Sequence, residues 1–127
     1  MQAQLEGLGV PYEYETLRIP YLPSMKPKRY TPDYTLLRNG IIIETKGRFV
    51  TADRQKHKLI KEQHPDLDIR FVFSNSRQRI SKQSKTTYAV WCETNGFQYA
   101  DVHIPISWIT EPPNRKSLAA IRRLMET

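Results

Sequence analysis

Apolar and polar residues alternate with period two along Tyr12-Glu13-Tyr14-Glu15, which predicts a strand running on to about Ile19. Residues 2–8 before it read as the end of a short helix, stopped by Gly7 and Gly9. Pro20, Pro23 and Pro27 then break regular structure, so Pro20 to Arg29 reads as a linker or an extended arm. Tyr30 to Leu37 reads as a second strand, with Pro32 tolerable only at an edge or a strand start. Asn39-Gly40 is a hairpin turn signal, and Gly40 to Lys46 is the return strand. Its run Ile41-Ile42-Ile43 implies burial on both faces.

Further on, Thr51 can cap a helix from about Ala52 to Gln63, closed off by Pro65. Ile69 to Phe73 reads as a buried strand, and 86–95 as a helix ended by Asn95-Gly96. Phe97 to Asp101 is a candidate short strand, and Lys116 to Met125 a basic C-terminal helix. Strands and helices alternate, so the expected class is α/β, a mixed sheet with helices on its faces.

Composition adds bounds. A chain of 127 residues suits one domain, here 1–127, and 39% hydrophobic residues are enough for a real core. The longest apolar run stops at Glu44, far short of the roughly 20 residues a membrane span needs. No basic-then-apolar leader opens the sequence, and no repeat or low-complexity segment interrupts it. Cys92 is the only cysteine, which excludes an intrachain disulfide and a cysteine-built zinc site and suits a reducing cytosol.

Charge narrows the function. Twenty Lys and Arg against 13 Asp and Glu give +7, a balance that attracts phosphate polymers. The basic residues cluster. Lys46, Arg48, Arg54, Lys56, Lys58 and Lys61 share a stretch whose single acid is Asp53. Arg77, Arg79, Lys82 and Lys85 form a second group, and Arg115, Lys116, Arg122 and Arg123 a third. Nothing resembles a recognition helix or a base-reading code. The expected recognition is therefore of nucleic-acid shape, through phosphate contacts from Arg48, Arg54, Lys56, His57, Lys58, Lys61, Arg77 and Arg79.

Pro32-Asp33, the Asn39-Gly40 turn and Glu44-Thr45-Lys46 carry the candidate chemistry. Phosphodiester hydrolysis needs charge neutralisation at the phosphoryl oxygens and an activated water. Carboxylates holding Mg²⁺ serve the first need, and a neighbouring lysine can serve the second. The hairpin brings Asp33 and Glu44 to the same end of the sheet. Glu44 and Lys46, two residues apart, share a face. Thr45 points away, but its backbone carbonyl can face a metal. This is the pattern of a metal-dependent PD-(D/E)XK nuclease with Asp33, Glu44 and Lys46 at its centre. The plainer alternative is a Glu44–Lys46 ion pair with Asp33 as a turn residue.

Other candidates are weaker. His57, His64 and His103 lack metal-ligand spacing; His57 reads as a phosphate contact and His64 as a capping or packing residue. Trp91, Trp108 and Cys92 sit in apolar contexts and read as core.

At these residues the sequence resembles the bacteriophage endonuclease I family, the Holliday-junction resolvases of T7-like phages. The resemblance covers nearly the whole chain. It includes Tyr12-Glu13-Tyr14-Glu15, Tyr30-Thr31-Pro32-Asp33, Glu44-Thr45-Lys46-Gly47, Glu62-Gln63-His64-Pro65, Leu67-Asp68-Ile69-Arg70 and Val72-Phe73-Ser74. It implies a restriction-endonuclease-like fold and a nuclease that resolves four-way and branched DNA by paired nicks in the cytoplasm of an infected bacterium. It implies Mg²⁺, with Mn²⁺ able to substitute, held by Asp33, Glu44 and the Thr45 carbonyl, with Lys46 as the catalytic lysine. It also implies a domain-swapped homodimer, with 20–29 as the bridge; an ordinary surface loop is the alternative for that segment. The family carries a further acid upstream of the segment matching Gln4-Leu5-Glu6, so this chain is expected to lack it. Glu6 aligns about two helical turns away and does not take its role. The Asp33-to-Glu44 spacing is one residue longer than the family's, a difference the hairpin turn can absorb. A non-catalytic junction-binding protein and a restriction-type nuclease on the same fold are the competing functions.

Overall fold

A computed structural model of the chain describes residues 1–22 and 28–126. Its elements in order are α1 (Gln2–Gly7), β1 (Tyr12–Tyr14), β2 (Ile19–Tyr21), β3 (Lys28–Tyr30), β4 (Tyr34–Leu36) and β5 (Ile41–Lys46). Then come α2 (Thr51–Gln63), β6 (Asp68–Phe73), α3 (Tyr88–Asn95), β7 (Tyr99–Asp101), α4 (Ile106–Ile109) and α5 (Arg115–Met125). The main sheet has five strands in the order β1-β4-β5-β6-β7, and β2 pairs with β3 in a separate ribbon.

The sheet is mixed. β4 runs antiparallel to both β1 and β5, whereas β5, β6 and β7 are parallel neighbours. Parallel strands need a crossover, and α2 and α3 supply the two. The β5–β6 register sets Glu44 beside Phe71, Thr45 beside Val72 and Lys46 beside Phe73. Ile42 and the two phenylalanines face a core built with Phe49, Ile60, Trp91 and Ile121. Ile41, Ile43 and Val72 face the other way, onto Leu5, Ile104 and Trp108. The isoleucine run is therefore buried on both sides, as expected of a central strand. Trp91, Cys92 and Trp108 are all buried.

The Asn39-Gly40 turn joins β4 to β5 as expected. Gly40 has φ 80°, and a Cβ there would lie 3.0 Å from Leu118 Cγ, so two constraints favour glycine. Gly96 closes α3 in the left-handed conformation, and the Thr87 hydroxyl caps its start.

Three expectations need correction. The first strand stops at Tyr14 and does not reach Ile19, because Glu15 turns left-handed at φ 53°. The second strand is split: Tyr30 belongs to the ribbon and Tyr34–Leu36 to the main sheet, with Pro32 between them. Val50, not Thr51, occupies the cap of α2, and the Thr51 hydroxyl accepts from Arg54. The four-residue α4 is too short for periodicity to mark. As for the segment 20–29, its described ends pair with each other, Pro20 opposite Arg29 and Tyr21 opposite Lys28. Pro23 and Pro27 lie outside the described residues. The Gln63 side chain donates to the Leu22 carbonyl at 2.9 Å and accepts from its N–H at 2.8 Å. The His64 ring meets the Pro20 carbonyl, so His64 does pack at a chain crossing.

Candidate active site

Parallel α/β sheets present ligands at the carboxyl ends of their strands. At that end β5 delivers Glu44, Thr45 and Lys46, and antiparallel β4 begins just after Asp33. The hairpin thus brings the two acids together, as the turn position predicts. The backbone N–H of Asp33 donates to Glu44 Oε1 at 3.2 Å. In the opposite sense, Asp33 Oδ2 accepts from the Thr45 N–H at 2.9 Å and from the Thr45 hydroxyl at 2.7 Å. Each acid is tied to the other's strand.

The alternation along β5 separates the groups by face. Lys46 Nζ lies 3.5 Å from Glu44 Oε2, so these two share a face as their spacing requires. The Thr45 side chain takes the other face, where it holds Asp33. Lys46 Nζ also lies 3.4 Å from Asp53 Oδ1, in the first turn of α2. The lysine therefore sits between two carboxylates.

Glu44 is 6% exposed. Burial, and then the nearby Asp33 charge, push its carboxyl up to about 7, against the opposing pull of Lys46, the Tyr30 phenol and the Asp33 N–H. The Tyr30 O–H donates to Glu44 Oε1 at 3.1 Å. Its own ionisation is raised well above the usual phenol range by burial and the Glu44 charge. A buried carboxylate with only these partners is electrostatically unsatisfied, and added positive charge would relieve it. Among the described residues no three His, Cys, Asp or Glu side chains come close enough to hold a metal ion; the acids here are a pair. Two carboxylates and a backbone carbonyl still fit Mg²⁺, which takes oxygen ligands and keeps several waters.

A cavity of about 310 Å³ opens beside Thr45 and Lys46, lined also by Met1, Ser74 and Val102. A second, of about 480 Å³, includes Arg48, Arg79 and Lys82 in its lining. Arg48, Lys58, Arg77 and Arg79 are exposed. Lys56 is half-buried, 3.9 Å from Asp53 and over the Tyr30 ring. Lys61 is exposed and donates to the Gly96 carbonyl at 3.0 Å.

Two expected phosphate contacts point inward instead. His57 is fully buried, edge-on to Tyr30 and Phe71, and neither ring nitrogen has a hydrogen-bond partner. Arg54 is 8% exposed, and its guanidinium donates to the Phe49 carbonyl at 2.5 Å. Arg54, His57 and Ile60 form the buried stripe of α2, so helical spacing overrides their charge. Tyr30 and Asp53 are the groups the sequence reading missed. The signal for Asp53 was its position as the lone acid of a basic stretch.

A family model described as Phage endonuclease I matches residues 1–127. The chain is 48% identical over 120 residues to "Endonuclease I" of Escherichia phage T7, covering 94% of this chain and 80% of that protein. It is 52% identical over 109 residues to "Endodeoxyribonuclease 1" of Enterobacteria phage T3, covering 86% of this chain and 71% of that protein.

Proposed function

The chain belongs to the phage endonuclease I family, and on that premise we propose that it is a metal-dependent, structure-selective DNA endonuclease. It resolves four-way (Holliday) junctions and other branched DNA by paired phosphodiester hydrolysis, as a homodimer in the cytoplasm of an infected bacterium. The observation that carries the reading is the convergence of Asp33, Glu44 and Lys46 at one sheet end, with Glu44 Oε2 3.5 Å from Lys46 Nζ.

Asp33, Glu44 and the Thr45 carbonyl would hold Mg²⁺, or Mn²⁺ in its place. A bound ion would supply charge neutralisation at the phosphoryl oxygens. The protein's own groups do the rest. Lys46 holds the attacking water in line, and Asp53 keeps the ammonium in place, 3.4 Å from its own oxygen. Thr45 holds Asp33 through two hydrogen bonds. Met1, the N-cap of α1, lines the same cavity as Thr45 and Lys46, so α1 directs its N-terminal end towards the site. That is the direction from which the family's additional acid would come. Glu6 instead accepts hydrogen bonds from Gln2 and Tyr12.

Arg48, Lys56, Lys58, Lys61, Arg77 and Arg79 would follow the DNA backbone without reading bases. In the homodimer the 20–29 segment would serve as the bridge, which requires the pairing of Pro20 with Arg29 and of Tyr21 with Lys28 to open or to be remade with the partner, and two sites suit a junction that needs two symmetric cuts. Among the described residues no helix is long and apolar enough to cross a membrane.

Lys46→Ala tests the catalytic reading. Junction cleavage should disappear while junction binding remains, and the unaltered chain should be silent in chelator. Undiminished cleavage by Lys46→Ala would overturn the catalytic assignment, and no cleavage by the unaltered chain would favour a non-catalytic junction-binding protein. A four-way junction compared with linear duplex of the same sequence separates a resolvase from a restriction-type nuclease. Light scattering should give twice the chain mass.

A further inference from the structure

We propose that Tyr30 is a positioning residue of this site: its phenol O–H fixes Glu44 Oε1 so that Oε2 is left facing Lys46. The proposal rests on the nuclease reading of Asp33, Glu44 and Lys46 and concerns how that reading is made geometrically exact enough to work.

Glu44 has two carboxylate oxygens and several rotatable bonds, so burial alone does not choose its orientation. The hydrogen bonds do. Both donors that reach it from the 30–33 segment fall on the same oxygen, Oε1: the Tyr30 hydroxyl at 3.1 Å and the Asp33 N–H at 3.2 Å. Oε2 is thereby left for Lys46 at 3.5 Å. The two donors are only three residues apart, and Pro32 stiffens the link between them, restricting Thr31 as well as itself.

Tyr30 is itself held. It is 3% exposed. The edge of His57 packs against its ring at 4.9 Å, and the Lys56 ammonium lies 5.2 Å from the ring centroid. Its backbone pairs with Ile19 in the small ribbon. A buried phenol needs a hydrogen-bond partner, and the one this ring reaches is a site carboxylate. The ribbon, which shares no strand with the main sheet, is in this way attached to the candidate active site. Asp53 does for the lysine what Tyr30 does for the glutamate, so both charged partners are held from outside β5.

Tyr30→Phe keeps the ring and its packing and removes only the hydroxyl. The full chain carrying it is compared with the unaltered chain and with Lys46→Ala. Four quantities are measured: single-turnover junction cleavage at saturating Mg²⁺, junction affinity in chelator, Mn²⁺ binding by titration calorimetry, and thermal stability. Cleavage should slow about tenfold, the size expected for one hydrogen bond to a charged group. Mn²⁺ binding should weaken in parallel, and junction affinity should stay unchanged. Unchanged cleavage and Mn²⁺ affinity, with Lys46→Ala inactive, overturn the positioning role and leave the nuclease reading standing. A loss of cleavage that comes with lost junction affinity and a lowered melting temperature makes the phenol structural, and also overturns it. Full cleavage by Lys46→Ala removes the nuclease reading itself.

Discussion

The two ends of the central strands carry two buried ionic clusters with opposite electrostatic character. At the amino end of β6, Arg70 is 1% exposed, yet all three nitrogens of its guanidinium are hydrogen-bonded. It donates to Asp68 at 2.8 and 2.9 Å and to Glu111 at 2.7 and 2.8 Å, and its cation lies over the Trp108 ring. Burial opposes the charge of Arg70, but the hydrogen bonds to Glu111 and Asp68 outweigh it and hold the group more firmly protonated than usual. Glu111 is correspondingly lowered, chiefly by its hydrogen bond to Arg70. At the carboxyl end, Glu44 is just as enclosed and is pushed the other way, up to about 7. Its cation, Lys46, is shared with Asp53, and its other neighbour is a second acid. One cluster is a completed network that ties the 111–114 segment to the sheet. The other is left short of positive charge. The Glu44 cluster holds a strain that the Arg70 cluster does not have, and folding elsewhere sustains it.

Breaking the site should have the largest effect, and on activity. Glu44→Gln keeps the shape and both hydrogen bonds to Oε1 but removes the charge. Cleavage should fall by about a thousandfold or more, as for loss of a group acting directly on transition-state charge. Junction affinity in chelator should be retained. A rate within tenfold of the unaltered chain would mean that Glu44 is not in the reaction.

Breaking the other cluster should do the reverse. Arg70→Ala strands two acids beside Trp108, and loss of one partner of a buried pair costs about 3 kcal/mol. Urea unfolding should register that loss. The cleavage rate per folded molecule should not change, because no described hydrogen bond runs from Arg70 to the site. A drop in that rate with stability intact would show that the two ends are coupled.

How much of this contrast was readable in the sequence depends on the range of the forces involved. The Asn39-Gly40 turn and the Ile41-Ile42-Ile43 run are local signals, and they were enough to place Asp33 and Glu44 together. Lys46 followed from strand alternation. Tyr30 and Asp53 could not be paired with Glu44 and Lys46 in this way, since those contacts cross from a ribbon and from a helix. Arg54 and His57 differ from expectation for the opposite reason. Their charge suggested solvent, but they stand three residues apart on the stripe that ends in Ile60. The completed cluster was hidden too: Asp68 and Arg70 look like ordinary charges until Glu111 arrives from 41 residues away.

The pH dependence of stability sharpens the contrast further. The ordinary value for a glutamate is near 4.5, and Glu44 in the fold is near 7. Between those values the unfolded chain has released a proton that the folded chain keeps, so stability falls as pH rises through that window. A shift of this size corresponds to an order-of-magnitude loss of about 3 kcal/mol above pH 7. Glu44→Gln should therefore be more stable than the unaltered chain at pH 8, measured without metal, and about equal to it near pH 4. The same variant that loses activity should gain stability. Equal unfolding midpoints at both pH values would contradict the strained site.

The smallest effect at neutral pH lies just behind the site, at His57. Burial first, then the Lys56 and Lys46 charges, lower its ring to about 3 from an ordinary 6.5. Its sign is opposite to that of Glu44. Between those two values the unfolded chain binds a proton that the folded chain refuses, so stability rises with pH across the window and is fully present above it. At pH 8 the ring is neutral in both states, and only its two unpartnered nitrogens count against it. His57→Leu should then gain on the order of 1 kcal/mol, the cost of a buried polar group without a hydrogen bond less the aromatic contacts it forfeits. The advantage should widen as pH falls from 6 to 4, the interval in which the Glu44 effect runs the other way. Urea midpoints for His57→Leu and the unaltered chain across that interval decide the matter. A variant that loses stability at pH 8, or whose advantage does not grow in acid, would mean that the ring has a partner in solution and that its nitrogens are satisfied after all.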